Sequence, residues 1–285
     1  MEMITLNNGI EMPLLGLGVL RTTADETEEM VKTALLNDYR LIDTAAGYMN
    51  EKAVGKGIKA SGIPRKEIFL TSKLWITDTG YENTLKAFER TLKLLDTNYL
   101  DLWLIHQPYG DVFGSWKAMN ELLDKKLIRA IGVSNFYEDQ LMNLICNGGG
   151  VVPAVNQIET HIYKQNRKEL EFMTQEGITM EAWSPFASGI ENVFENEILM
   201  DMATKRNVSV SQIILRWLTQ RGIIAIPKTT HVNRMIENIN SFDFKLTDSD
   251  MEIISQLNKD HSVYPSHRDP EFIKMLSQQK LTFEV

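Results

Sequence analysis

The chain has 285 residues, of which 43% are hydrophobic, so it is long enough to bury the core of one large domain or of two smaller ones. Its formal net charge of −8 at pH 7 argues against nucleic acid or an anionic membrane surface as the main partner. One cysteine rules out an intrachain disulfide, residues 1–18 lack the pattern of a signal peptide, and no stretch is apolar over the width of a bilayer, so we expect a cytoplasmic protein.

Short apolar runs alternate with helix-like stretches along the whole chain. A small hairpin is predicted at residues 5–12, with Asn8-Gly9 as its turn signal. The strands predicted after it lie at residues 14–19, 41–43, 69–73, 99–105, 129–133, 154–158, 178–182 and 223–226. The predicted helices lie at residues 24–37, from 50 onward, 81–95, 114–125, from 138 to the glycines at 148–150, 166–175, 197–205, 209–221, 232–238 and 248–257. Residues 184–193 are predicted to form a long loop, and residues 258–285 a polar tail.

This alternation predicts βα units on a parallel sheet. Eight such units without a polar linker between them predict an α/β fold in a single domain, residues 1–285. We expect a (β/α)₈ TIM barrel with an N-terminal β-hairpin that caps the barrel bottom and an extra C-terminal helix and tail. In such barrels the carboxyl ends of all strands gather on one face, which carries the active site. Side chains between Asp43 and Lys228 can therefore converge on one site.

Four chemically capable side chains stand at or just after predicted strand ends: Asp43, Tyr48, Lys73 and His106. A tyrosine titrates at about 10, and we expect the Lys73 ammonium to favour the phenolate and to lower the pKa of Tyr48. Asp43 would keep Lys73 charged, and His106 could donate a hydrogen bond to a substrate oxygen. Each residue alone could also be a turn cap, a surface group or a packing residue. Together they predict a carbonyl-reducing site with a tuned acid.

Side chains cannot supply a hydride, so this chemistry needs a cofactor. The second half of the chain offers amide and hydroxyl groups for a carboxamide, a flat indole face for a nicotinamide ring, and cations for a phosphate: Ser134, Asn135, Gln157, Trp183, Lys228 and Arg234. Residues 16–18 read Gly-Leu-Gly but are not followed by a third glycine at the dinucleotide-fold spacing. A Rossmann-type dehydrogenase is therefore disfavoured.

Eight short segments, taken in order, resemble the aldo-keto reductase superfamily over almost the whole chain. They are GLG at 16–18, DTAAGYMNE at 43–51, TSKLW at 71–75, LIH at 104–106, GVSNF at 132–136, NQ at 156–157, AWSP at 182–185 and IPK at 226–228. The nearest resemblance is to the bacterial glyoxal/methylglyoxal reductase and 2,5-diketo-D-gluconate reductase group.

The resemblance implies a metal-free barrel that uses NADPH/NADP⁺, with NADH as a weaker alternative. Tyr48 would be the proton donor, Lys73 and Asp43 would tune it, and His106 would orient the substrate. The cofactor-binding residues that it implies are Gly18, Asp43, Ser134, Asn135, Gln157, Trp183, Ser184, Pro185, Phe186, Lys228, Thr229, Arg234, Glu237 and Asn238. Residues 184–186 would pass under the pyrophosphate, 228, 229 and 234 would hold the 2′-phosphate, and 237 and 238 would lie near the adenine.

The resemblance also implies a substrate pocket formed by Leu20, Tyr48, Trp75, His106 and Gln107. Many relatives carry an aromatic residue where Leu20 stands and a tryptophan where Gln107 stands. With a short loop at 107–115 and a polar tail, we expect a fairly open pocket for small aldehydes, dicarbonyls or keto sugars. The expected partner is such a small carbonyl compound, with neither nucleic acid nor a membrane, and the protein is expected to be a monomer.

Two other functions compete with this interpretation. The superfamily includes nucleotide-binding, redox-sensing regulatory subunits with little turnover. We expect this less because the predicted hairpin starts at Thr5, which leaves no extra N-terminal segment. A metal-dependent hydrolase on the same barrel is also disfavoured, because the five histidines lack the paired spacing of metal ligands.

Overall fold

Eight parallel strands form the centre of the computed structural model, which describes residues 1–283 without the side chain of residue 191. After the hairpin strands β1 (Met3–Thr5) and β2 (Glu11–Pro13), the parallel strands are β3 (Leu17–Gly18), β4 (Leu41–Asp43), β5 (Phe69–Leu74), β6 (Leu100–Ile105), β7 (Ile128–Ser134), β8 (Val155–Glu159), β9 (Thr179–Trp183) and β10 (Ile224–Ala225). Each strand pairs with its neighbour in chain order. The predicted domain and tail extend two residues further, and those two lie outside the described residues.

The first and last parallel strands meet and close the sheet. Leu15 and Ala225 form a parallel bridge, and the Gly16 amide donates to the Ala225 carbonyl at 2.9 Å. The Gly18 amide donates to the Pro227 carbonyl at 3.1 Å. Both strands have only two residues. The predicted (β/α)₈ barrel is thereby confirmed.

The N-terminal hairpin closes the bottom of the barrel. Its strands pair in antiparallel register from Met3 opposite Pro13, and Gly9 turns the chain with a φ of 82°. Leu6 and Met12 are buried in one apolar cluster with side chains of the barrel strands, such as Leu102. The amino ends of the strands therefore face an apolar plug and not solvent.

Helices surround the barrel, and several of them begin at residues whose side chains cap them. They are α1 (Ala24–Leu36), α2 (Glu51–Ser61), α3 (Tyr81–Leu95), α4 (Val112–Asp124), α5 (Glu138–Asn147), α6 (Arg167–Gln175), α7 (Glu197–Arg206), α8 (Val210–Gln220), α9 (Val232–Ile239), α10 (Asp248–Ser255) and α11 (Pro270–Gln278). Thr23, Ser209 and Thr247 form capping boxes that satisfy the first amides of α1, α8 and α10. Within residues 1–283, no helix combines the length and the apolar character needed to cross a bilayer.

Two segments are more regular than the sequence predicts. The expected loop at 184–193 overlaps the 3₁₀ turns Ala187–Glu195, and the expected polar tail contains α11. Asp269 caps α11 through the Glu271 amide, and Pro270 occupies its first turn. Leu276, which lies on this helix, is buried. The sequence predicts no helix in this tail because the partners of its apolar residues lie far away in the sequence.

Gly16 packs closely against Leu41 of β4, and this can be tested. A Cβ at residue 16 would stand 2.4 Å from Leu41 Cγ, which is not the movable end of that side chain. We expect Gly16→Ala to lower the free energy of unfolding by about 1–3 kcal/mol through overpacking. Urea unfolding checks this, with the exposed Lys86→Ala on α3 as a control that should change stability by less than about 0.5 kcal/mol. An unchanged midpoint for Gly16→Ala would contradict the close approach.

Candidate active site

A buried lysine joins the four side chains expected to do the chemistry. Lys73 lies near the end of β5, and its Nζ donates to Asp43 Oδ1 at 2.6 Å. The same ammonium donates to the Thr44 carbonyl at 2.9 Å and to the Tyr48 hydroxyl at 3.3 Å. The side chains of Lys73 and Asp43 are 0% and 1% exposed. One ammonium group therefore uses three donors to fix the carboxylate, the backbone after β4 and the phenol.

His106 stands directly after β6 and faces the same group. Its ring makes edge contacts with the rings of Tyr48, at 5.7 Å between centroids, and Trp75, at 5.3 Å. Burial holds the pKa of His106 well below its ordinary value, and the charge of Lys73 acts in the same direction. The imidazole is therefore neutral at physiological pH and can donate one hydrogen bond from its single N–H.

The pKa of Tyr48 moves in the opposite direction to the one we expected. Burial of the phenol raises the pKa above its ordinary value, and the Lys73 ammonium offsets only part of that shift. The Asp43 carboxylate adds to the rise. The prediction of a lowered pKa was wrong because it counted the neighbouring cation and not the loss of water around the phenol. The proton consequently stays on Tyr48 at neutral pH.

The charge of Lys73 survives its complete burial. Burial lowers the pKa of this lysine, but Asp43, Tyr48 and Glu181 together raise it by more, so the net direction is upward. Burial raises the pKa of Asp43, and Lys73 opposes that rise. The two groups therefore depend on each other, since either one alone would be an unpaired charge inside the barrel.

Polar side chains from the second half of the barrel continue this network. Gln157 Nε2 donates to Asp43 Oδ2 at 2.8 Å and to Glu181 Oε2 at 2.9 Å. Ser134 Oγ donates to the Gln157 carbonyl at 2.8 Å. Asn135 Nδ2 donates to the His106 carbonyl at 3.0 Å. The expected catalytic residues and the expected carboxamide-binding residues are thus brought together in one hydrogen-bonded group.

Two strand ends in this region hold unusual backbone conformations. Asn135, after β7, has a φ of 65°, and Ser184, after β9, has a φ of 54°. Trp183 Nε1 donates to Asn135 Oδ1 at 3.0 Å, which ties the two ends together. Left-handed conformations of non-glycine residues are uncommon and concentrate at functional sites. Pro185 is buried and Phe186 is half-buried after the second turn.

Sequence reasoning assigned no role to Glu181, which the structure places inside this network. The signal was present, since a carboxyl group interrupts the apolar strand Thr179–Trp183. Its side chain is fully buried, and its Oε1 has no hydrogen-bond partner among the described residues.

The expected phosphate-binding residues lie beyond β10, on the way into α9. Lys228 and Arg234 are exposed, and neither forms a salt bridge with a described residue. Thr229 is buried and accepts the His231 amide at 3.1 Å. Glu237 is half-buried, whereas Asn238 is 2% exposed, so its side chain turns inward.

The C-terminal tail covers one side of the expected substrate pocket. Trp75 is 4% exposed because Leu276 of α11 packs in the same cluster, and its Nε1 donates to the Gln279 carbonyl at 3.3 Å. Gln107 is buried, while Leu20 is 45% exposed at the open side. The pocket is therefore more enclosed around Trp75 than the composition of the tail suggested.

A buried carboxylate fastens this tail to the barrel. Glu159, at the end of β8, accepts the Val263 amide at 2.9 Å and the Ser262 hydroxyl. The Tyr264 ring then meets the Trp183 ring edge-on at 5.0 Å, and its hydroxyl contacts Ser188. The tail is thus attached both to a strand end and to the 3₁₀ segment after β9.

Comparisons with known proteins agree with this geometry. The model of a family described as the aldo/keto reductase family matches residues 14–259. The chain is similar to the glyoxal reductase of Bacillus subtilis (strain 168), with 46% identity over 267 residues, 93% of this chain and 96% of the relative. It is 46% identical over 263 residues to the 9,11-endoperoxide prostaglandin H2 reductase of Trypanosoma cruzi (strain CL Brener), 91% of this chain and 93% of the relative. A solved Bombyx mori aldo-keto reductase in complex with NADP has a TM-score of 0.88 at 34% identity, covering 94% of this chain and 99% of that chain.

The mutual dependence of Lys73 and Asp43 predicts a stability effect. Lys73→Met leaves Asp43 buried without its counter-charge, and we expect a loss of about 3–5 kcal/mol in the free energy of unfolding at pH 8. Without Lys73 the folded-state pKa of Asp43 rises further, so the loss should shrink towards pH 5 as the carboxyl takes up a proton.

Urea unfolding at both pH values checks this expectation. The double variant Asp43→Leu/Lys73→Met is the control, because it removes both charges and should recover most of the lost stability. Equal stability of the single variant and the wild type at pH 8, or a double variant no better than the single one, would contradict the buried ion pair.

Proposed function

Because the chain belongs to the aldo/keto reductase family, we propose that it reduces small aldehydes, ketones, dicarbonyls or keto sugars to alcohols with NADPH as the hydride donor. Membership makes it an NADP-dependent oxidoreductase. The similar glyoxal reductase supports a small dicarbonyl as the first substrate to consider. The equally similar prostaglandin endoperoxide reductase shows that percentage identity does not decide the substrate.

The observation that carries the proposal is the threefold hydrogen bonding of the buried Lys73. An ammonium held between a carboxylate and a phenol oxygen stabilises negative charge on that oxygen when its proton leaves. Tyr48 would give its proton to the carbonyl oxygen while the carbonyl carbon receives a hydride, which yields the alcohol. The raised pKa of Tyr48 keeps the acid loaded before reaction. The neutral His106 would donate to the same carbonyl oxygen and orient it.

The donor set fits a nicotinamide nucleotide. Amide and hydroxyl groups lie at the barrel mouth, and two exposed cations lie beyond β10. Gly18 lets its strand approach the residues after β10, since a Cβ there would stand 2.9 Å from the Ile226 carbonyl oxygen. When bound, NADPH supplies the hydride that no side chain can provide. Ser134, Asn135 and Gln157 would hold the carboxamide.

The remaining contacts follow from the same placement. Trp183 would stack on the nicotinamide ring, and Ser184, Pro185 and Phe186 would pass under the pyrophosphate. The 2′-phosphate would be held by Lys228, Thr229 and Arg234. Glu237 is the better placed of the two residues proposed near the adenine, because Asn238 is buried beside Tyr39.

The proposal extends to the setting in which the enzyme works. We propose a single catalytic domain that acts as a monomer in the cytoplasm on small carbonyl compounds. The formal charge of −8 supports the absence of nucleic acid and anionic membranes among its partners.

Removal of one oxygen atom tests the proposed acid. We expect Tyr48→Phe to lower kcat for carbonyl reduction by about 10²–10⁴ or more, because the proton donor is lost. The affinity for NADPH should stay close to that of the wild type. Loss of NADPH absorbance measures turnover, and fluorescence titration measures binding. Tyr81→Phe removes a phenol oxygen on α3 whose partner is Glu121 of α4, and it is the matched control. Near wild-type turnover by Tyr48→Phe would refute the assignment.

A substrate panel tests the pocket and the cofactor together. We expect turnover of glyoxal, methylglyoxal and a 2,5-diketo sugar acid to exceed that of a bulky ketone, because α11 encloses the Trp75 side.

NADPH should be preferred over NADH, and Arg234→Ala should reduce that preference by about tenfold through loss of one phosphate contact. Tight NADPH binding without turnover of any compound would favour a redox-sensing regulatory subunit instead.

A further inference from the structure

The Gln157 side chain is held in one orientation by two carboxyl groups, one from across the barrel and one from the neighbouring strand. Its Nε2 lies 2.8 Å from Asp43 Oδ2 on β4 and 2.9 Å from Glu181 Oε2 on β9. Carboxyl oxygens that face an amide in this way act as acceptors, so the nitrogen end must lie between them. No described residue donates a hydrogen bond to the Gln157 side-chain oxygen. That oxygen is therefore available to another partner.

The carboxyl group of Glu181 costs free energy of folding at the position it occupies. It lies directly opposite Gln157 in the register of β8 and β9 and is 0% exposed. Its Oε1 is buried and makes no hydrogen bond with a described residue. A buried polar atom without a partner costs free energy, whereas an apolar side chain of the same length would not. Stability alone therefore does not account for a carboxyl group here.

Burial and the Asp43 carboxylate favour the neutral form of Glu181. Burial raises its pKa to about 8, and the Asp43 carboxylate acts in the same direction. The Gln157 amide and the Lys73 ammonium oppose this rise in the pKa. The other titratable group that interacts with Glu181 is the Tyr48 phenol, whose pKa Glu181 raises. The ion pair of the cluster joins Asp43 and Lys73. A proton on the unpartnered Oε1 leaves Oε2 to accept the bond from Gln157.

We infer that Glu181 is a positioning residue, which with Asp43 holds the Gln157 amide nitrogen inside the barrel and turns its oxygen towards the nicotinamide carboxamide. This rests on the proposed cofactor site. A carboxamide carries both a donor and an acceptor, so a freely rotating glutamine would bind it in either of two orientations. A glutamine fixed by Glu181 accepts the carboxamide N–H in one orientation, which selects one presentation of the ring.

Two substitutions of similar size test this role. Glu181→Met removes the acceptor, and Glu181→Gln keeps an oxygen that can accept from Gln157. Calorimetry at pH 7 measures the Kd of each variant for NADP⁺ and for 2′-phospho-ADP-ribose, which lacks the nicotinamide. We expect Glu181→Met to bind NADP⁺ about tenfold more weakly and 2′-phospho-ADP-ribose as the wild type does. Glu181→Gln should bind both ligands within about twofold of the wild type. The Tm of Glu181→Met should equal or exceed that of the wild type.

Glu51→Met is the matched control. Glu51 is also a buried carboxyl group with a pKa raised by burial, but it bonds Ser72 and Thr91 between the barrel and its helices. The Glu51→Met substitution should leave the Kd for NADP⁺ unchanged. Wild-type NADP⁺ affinity in Glu181→Met, equal loss of both ligands, or the same loss in Glu51→Met would overturn the positioning role. Failure of the wild type itself to bind NADP⁺ would overturn the proposed function, and the inference with it.

Discussion

The buried ion pair between Lys73 and Asp43 is the interaction on which the arrangement of the site depends. An ammonium group inside a barrel is tolerated when its charge is paired and each of its protons has an acceptor. Lys73 meets both conditions through Asp43, the Thr44 carbonyl and the Tyr48 hydroxyl. These partners come from a strand end and from the turn that follows it. The requirement to satisfy one charge therefore fixes the phenol that stands at the centre of the site.

The interior of the barrel changes character along its axis. At the bottom, Leu6 and Met12 of the hairpin join a cluster of aliphatic side chains from the strands. At the top, the polar side chains of β4, β5, β8 and β9 form a connected network. The apolar end provides burial energy in proportion to the area removed from water. The polar end can consequently carry groups that cost free energy, such as the unpartnered oxygen of Glu181.

The main features of the site could be predicted because they depend on local patterns. Strand-length apolar runs that end in Asp43, Lys73 and His106 can be read from the sequence. Closure of the parallel strands into a barrel then brings these residues together. The direction of the pKa of Tyr48 could not be predicted, since burial is decided by tertiary packing. Glu181 was passed over because a sequence does not say which partner a strand residue meets. The helix α11 was missed because Trp75, which it covers, lies about two hundred residues earlier.

The tail has a consequence for how proteins of this kind diverge. The family model ends at residue 259, whereas the segment that covers Trp75 and contacts Trp183 follows it. Lys73 and Tyr48 make their contacts within the barrel, independently of that segment. Heritable changes after residue 259 can therefore reshape the Trp75 side of the expected substrate pocket while the reacting groups stay in place. Selection can act on what the enzyme admits and on how it reacts through separate stretches of the gene.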